Sequence, residues 1–246
     1  MKVDYLTLGL IVIVGLASCN KDKEETPQPI TKANIMGSVN LYDEGVTQID
    51  NSNMTIKLEG SSPVISATTD VDGEFTLSDV PFGSYTLVYE KTGFGTFKKF
   101  NLEHTNTGSS TIVEAPSLGQ KSTTSVTNLT LSSNANFPVI LGATTNPAGS
   151  LADTRYIRYF FSTDPDVSNE NYDSYLETFP VNNSPYNLNL SQASLDALDF
   201  TSGSTVYVKC YGESFWANSY SDPVLNRDIF PNLNPNSAPA VSFVVP

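Results

Sequence analysis

The residues best suited to chemistry lie together in the run ESFWANSYSD, from Glu213 to Asp222. It holds the chain's single tryptophan, Trp216, with Phe215 and Tyr220 among short polar side chains. Sugars bind by laying the apolar faces of their rings on aromatic side chains, while Asn, Asp and Glu take the hydroxyls. Exposed Trp and Tyr also anchor protein interfaces. Phe215, Trp216 and Tyr220 are therefore the candidate ligand-binding residues. The opposing reading, that Trp216 closes the end of a core from its loop, stays open. Two acidic runs offer the oxygen ligands that calcium prefers. In the first, Asp70, Asp72 and Glu74 imitate the start of a calcium loop, but Phe75, Thr76 and Leu77 continue as strand where the distal ligands belong. Asp and Gly are also what a tight turn demands, and the turn is the expected reading. The second, Asp164 to Asp173 (DPDVSNENYD), has no ligand spacing and reads as a solvated loop. His104, the one histidine, stands near an expected loop, and no GxSxG, HExxH or Cys/His cluster occurs. Carboxylate pairs can hydrolyse glycosides, but these acids are scattered. The expectation is a chain without catalytic residues, metal or cofactor, and so no enzyme.

The frame that must position these residues is β-rich. Hydrophobic residues make up 39% of 246, enough for packed cores, and Thr, Ser, Val, Tyr, Asn and Phe outweigh the helix formers. Punctuation by 15 Gly and 15 Pro points the same way. A formal net charge of −13 argues against nucleic acid, whose phosphates attract Lys and Arg. Of the two cysteines, Cys210 falls in the alternating run Val206, Val208, Cys210 and reads as a small core hydrophobe.

At the N-terminus, Lys2 precedes Leu6 to Leu16, an apolar run of 11 residues. That is short of the ~20 needed to span a bilayer and suits a secretory signal. Leu16-Ala17-Ser18-Cys19 then resembles the lipobox of bacterial lipoproteins. The resemblance implies that residues 1–18 are a signal peptide and that Cys19 becomes the acylated first residue. It also implies a membrane partner, because two or more acyl chains, such as palmitate, anchor stably. With Cys19 acylated, Cys210 has no disulfide partner. Residues 19–32 form a tether. Its Asn20 to Glu25 (NKDKEE) resembles the Lys-plus-acidic export signal of surface lipoproteins in Gram-negative glycan foragers, implying an outer-membrane, surface-exposed protein; a plain solvated tether is the other reading.

Residues 33–118 read as a first sandwich of short strands: 35–42, 54–58, 66–69, 74–77, 85–90, 97–102 and 111–115. Thr68 to Phe75 (TTDVDGEF), Val80 to Leu87 (VPFGSYTL) and Thr92-Gly93-Phe94 resemble the carboxypeptidase regulatory-like domain. That resemblance implies a transthyretin-like sandwich used as a spacer or binding platform. Residues 119–246 read as a second sandwich with strands at 126–132, 139–145, 156–162, 186–190, 206–212 and 241–245, and a helical turn at 195–198 capped by Ser191 or Ser194. Gly203 to Ser214 (GSTVYVKCYGES), Tyr156 to Asp164 and Val241-Ser242-Phe243 resemble a fibronectin type III domain of bacterial surface proteins. The corner-tyrosine position is Val206, and 223–239 is long for a last loop, so a generic immunoglobulin-like sandwich stays open. The chain is thus expected to be all-β, with two tandem β-sandwich domains after a lipoprotein signal peptide and short linker. Its expected role is a non-catalytic accessory or binding module for glycan capture, or else a structural, adhesive protein contacting envelope or host proteins.

Overall fold

The computed structural model describes residues 30–105 and 110–246. The expected signal peptide, Cys19 with its lipid, and the tether up to residue 29 lie outside the described residues. The chain is all-β and forms two tandem β-sandwiches.

The first sandwich is built from β1 (Lys32–Ser38), β2 (Asn40–Tyr42), β3 (Thr55–Leu58), β4 (Ser66–Thr68), β5 (Glu74–Pro81), β6 (Gly83–Glu90), β7 (Phe97–His104), β8 (Thr111–Val113) and β9 (Ser117–Gly119). One sheet has the order β5-β1-β8, the facing one β4-β3-β6-β7, and β2 pairs in parallel with β9. Alternation along β3 and β5 sends Ile56, Leu58, Phe75 and Leu77 into a core with Ile35, Leu41, Leu87 and Tyr89. The strand expected over 35–42 is broken at Val39, whose N–H donates to Gly73 O before the chain moves to its new partner, β9. The DVPFG stretch, 79–83, carries a bulge near the end of β5 and then a bend at Phe82, where the chain passes to β6. Asp79 takes φ 56° at the bulge and the register against β1 shifts between Ala33 and Ile35. Pro81 is tolerated because β5 is an edge strand. Within the polar stretch 116–125, Ser117–Gly119 forms β9.

The second sandwich comprises β10 (Ser125–Ser132), β11 (Val139–Asn146), β12 (Arg155–Ser162), β13 (Ser174–Tyr175), β14 (Phe179–Val181), β15 (Tyr186–Leu190), α1 (Gln192–Asp196), β16 (Thr205–Glu213), β17 (Tyr220–Asp222), β18 (Arg227–Ile229) and β19 (Val241–Val244). Sheet β10-β11-β15 faces β13-β12-β16-β19, with β14 also on β12. Ile157, Tyr159 and Phe161 of β12 meet Val206, Val208 and Cys210 of β16 in the shared core. Cys210 is a free, buried thiol, and burial pushes its pKa up. Ser191 caps α1 by accepting the Ser194 N–H at 3.2 Å.

The 223–239 segment is more than a last loop. It starts from a β17–β18 hairpin and lays Phe230 over the outer side of β12 and β16. Phe230 packs there with Phe160, Val167 and Tyr211, flanked by Tyr172 and Tyr175. The central strands of this sheet are therefore covered on both faces.

Candidate functional site

Period-two alternation points Tyr156, Arg158 and Phe160 outward from β12, and Tyr211 and Glu213 outward from β16. The chain leaving β16 carries this face to the seam with the first sandwich, where it is fastened. Phe215 N–H donates to Glu44 O at 3.0 Å, and the buried Ser214 hydroxyl donates to Gln120 O. Asn218 accepts the Gly119 N–H at 2.8 Å and donates to Gly119 O at 3.0 Å and Gly95 O at 3.2 Å. Asn232 accepts the Gly95 N–H at 2.9 Å and donates to Trp216 O at 2.7 Å and Gly119 O at 3.0 Å. Both asparagines are buried. The backbones meet too closely for side chains: a Cβ on Gly119 would stand 2.5 Å from Trp216 O, and one on Gly95 2.4 Å from Pro231 O. Arg155 adds an ion pair to Glu44 at 2.8 Å.

This seam leaves a cleft of about 490 Å³, within the range of small-ligand sites. Trp216, Phe215, Tyr156 and Phe97 give it aromatic walls, and Ser117, Thr178 and Ser219 contribute hydroxyls. Phe215 is 45% exposed. It meets Trp216 edge-on at 5.1 Å and Tyr156 at 5.6 Å, while Trp216 leans on Tyr42 at 4.9 Å. Trp216 is half-buried, so it packs against the first sandwich and lines the cleft at once. Its indole N–H has no acceptor among the described residues.

Of the aromatic residues singled out in the sequence, Phe215 and Trp216 come together here and Tyr220 does not. Tyr220 opens β17 and packs between Phe97 and Phe100, at 6.1 and 6.0 Å. The sequence reading missed Tyr156, Phe97 and Thr178. The signal for Tyr156 was its outward parity in YIRYFFS.

Beneath the cleft, Arg158 and Glu213 are diagonal neighbours across β12 and β16, paired at 3.1 Å. Arg158 also donates to Leu176 O at 3.0 Å and to Thr178 Oγ1 at 2.7 Å, and its guanidinium lies 4.5 Å from the Phe230 ring. Burial pushes Glu213 up to about 7 against the opposing pull of Arg158. Burial, with the nearby Asp43 charge, raises Tyr156.

The other acidic runs are folded on themselves. Asp70 Oδ1 accepts the N–H groups of Asp72 and Glu74, at 3.0 and 2.9 Å, closing the turn in which Gly73 takes φ 83°. Asp173 accepts from Ser162 and Thr163, which lowers its pKa. His104 is the last residue of β7, beside the non-strand Thr105, and is fully buried. Its Nε2 donates to Val80 O at 3.1 Å and its Nδ1 lies 2.7 Å from the Thr111 hydroxyl. Among the described residues no group of three or more His, Cys, Asp or Glu is placed to hold a metal ion, and no helix is long and apolar enough to cross a membrane.

No family model and no curated protein matches the chain. Among solved structures, one similar chain belongs to a type II cohesin–X-dockerin complex from Acetivibrio cellulolyticus, at 24% identity and TM-score 0.29. The match covers 34% of this chain and only about half, 52%, of that one. A candidate carbohydrate binding protein from Bacteroides uniformis is 15% identical over 87% of this chain and 99% of its own, with TM-score 0.29. A DUF3823 family protein from Parabacteroides merdae is 14% identical over 87% and 98%, with TM-score 0.30.

Proposed function

We propose that this chain is a non-catalytic glycan-capture lipoprotein, anchored through acylated Cys19 to a bacterial outer membrane and facing outward. The cleft between the sandwiches is its binding site. The observation that carries this reading is the wall of Trp216, Phe215 and Tyr156 beside the hydroxyls of Thr178 and Ser219. Aromatic faces with a few polar groups are what a saccharide needs. The order of basic residue, apolar run and Leu-Ala-Ser-Cys supports the anchor, and the Lys-plus-acidic stretch after Cys19 supports surface display. In this reading the first sandwich is a carboxypeptidase regulatory-like platform and the second a fibronectin type III-like domain.

The test has two arms. Affinity electrophoresis of the Cys19→Ser chain through gels containing polysaccharides should show retardation by at least one of them, lost in Phe215→Ala and Trp216→Ala. Trypsin applied to intact cells should remove the wild-type protein. Survival on intact cells with degradation in lysates would move it to the periplasmic face. A second reading, a structural or adhesive protein, has one observation in its favour: Val224 and Leu225 at the β17–β18 hairpin tip are 86% and 55% exposed, an apolar pair suited to a protein contact.

A further inference from the structure

We propose that the cleft selects neutral saccharides and rejects acidic ones, with Glu177 as the excluding group. This inference rests on the glycan-capture reading and narrows its ligand class. Acidic sugars such as uronates and sulfated residues are bound where a free cation meets the anion, most often an arginine fork.

Arg158 is the cation among the lining residues, and it is already engaged. Its Nε bonds Glu213, its Nη1 bonds Leu176 O and its Nη2 bonds the Thr178 hydroxyl. The side chain is 3% exposed and its counter-charge, Glu213, is fully buried. Above about pH 7, where Glu213 is ionised, a ligand carboxylate entering the cleft would meet a neutralised pair, and recruiting Arg158 would strip Glu213 of its partner inside the protein.

The exposed charge in the lining has the opposite sign. Glu177 is 90% exposed, with its carboxylate 3.8 Å from Arg158 Nη1. It repels an incoming anion through water, an effect that weakens with salt. Asp43 stands within electrostatic reach of Tyr156, and the whole chain carries −13.

What the cleft does offer suits neutral hydroxyls. Thr178 accepts from Arg158, which leaves its own proton free to donate. Ser117 and Ser219 can donate or accept, and Trp216 and Phe215 supply stacking faces.

The test begins with the full chain, Cys19→Ser, titrated with a panel of neutral and acidic polysaccharides at about pH 8.5, where Glu213 is ionised, and at low salt. A neutral binder from that panel is then oxidised at its primary hydroxyls, so that the same backbone carries carboxylates. The expected result is binding of the neutral form and roughly tenfold weaker binding of the oxidised form, with the gap narrowing in high salt. Glu177→Gln should narrow the ratio of neutral to oxidised affinity several-fold, and Glu177→Lys more. Glu177 is exposed enough that both variants fold. Equal binding of the two forms, or an acidic polysaccharide as the sole binder, overturns charge selection and leaves glycan capture standing. A gap unmoved by either Glu177 variant overturns the role of Glu177. Binding of no glycan at all sinks the capture reading itself.

Discussion

Phe215 separates binding from stability better than its neighbour. It is nearly half exposed and touches Trp216 and Tyr156 only at ring edges. Phe215→Ala is expected to weaken glycan binding at least tenfold and to cost less than about 1 kcal/mol of stability, measured by titration beside urea denaturation. Trp216→Ala should abolish binding and also cost roughly 2–3 kcal/mol, because the ring packs on Tyr42. Glu213 gives a pH signature. Its pKa is raised in the folded chain to about 7 from 4.5, so the folded protein holds the proton more tightly across that window. The stability from this group is full below the window and lost as pH rises through it. Melting temperature should therefore fall from pH 5 to pH 8 by more in the wild type than in Glu213→Gln; parallel curves would contradict the buried titration. Asp173, with its pKa lowered, works in the opposite sense and lower, its contribution vanishing as pH falls below about 3.8. The residues of the ESFWANSYSD run stood out in the sequence because a single tryptophan amid polar residues is conspicuous. Whether each lines a cleft or plugs a seam depends on partners, such as Tyr42 and Phe100, more than a hundred positions away, and no local pattern encodes that.

At the scale of elements, the strands were legible where one face is buried and the other wet, as in β3 and β5, because alternation then shows in the residue types. Where that condition fails, as in β12, expected over 156–162 and found at Arg155–Ser162, the strand was legible but what covers its outer face was not. β12 reads RYIRYFFS, with large residues on both faces, and such a run means cover on both sides. The cover is the 223–239 segment, whose Pro and Asn content reads as loop although Phe230 and Leu233 pack against the sheet. The bulge at Asp79 has no signal of its own, because a left-handed Asp serves turns as well. The seam elements make the sharpest prediction at this level. Asn232→Ala leaves Gly95 N–H and Trp216 O without their partner in a buried site. It should destabilise the chain by about 3 kcal/mol, read from the urea midpoint. Gly119→Ala, which drives a methyl into Trp216 O, should do similar harm.

For the molecule as a whole, the cleft exists because two sandwiches are held in one relation by Asn218, Asn232 and the Arg155–Glu44 pair. Neither half contains the site: Phe97 and Ser117 come from one, Tyr156, Thr178 and Trp216 from the other. A sequence divides readily into two sandwiches, but the contact between them joins backbone glycines and amides, which carry no hydrophobic pattern. Calorimetry should show a single cooperative transition for the wild type. Asn218→Ala combined with Asn232→Ala should split it in two, and a wild type that already melts in two steps would mean the seam is weak.

Because Trp216 is the only tryptophan, its fluorescence reports on the cleft alone. The most direct test is to titrate the Cys19→Ser chain with the polysaccharide that retards it, following that emission and its quenching by acrylamide. Glycan capture at the cleft predicts a saturable change in emission, protection from the quencher, and loss of both in Phe215→Ala. Binding registered by calorimetry with Trp216 emission and quenching unchanged would place the ligand elsewhere and contradict the account.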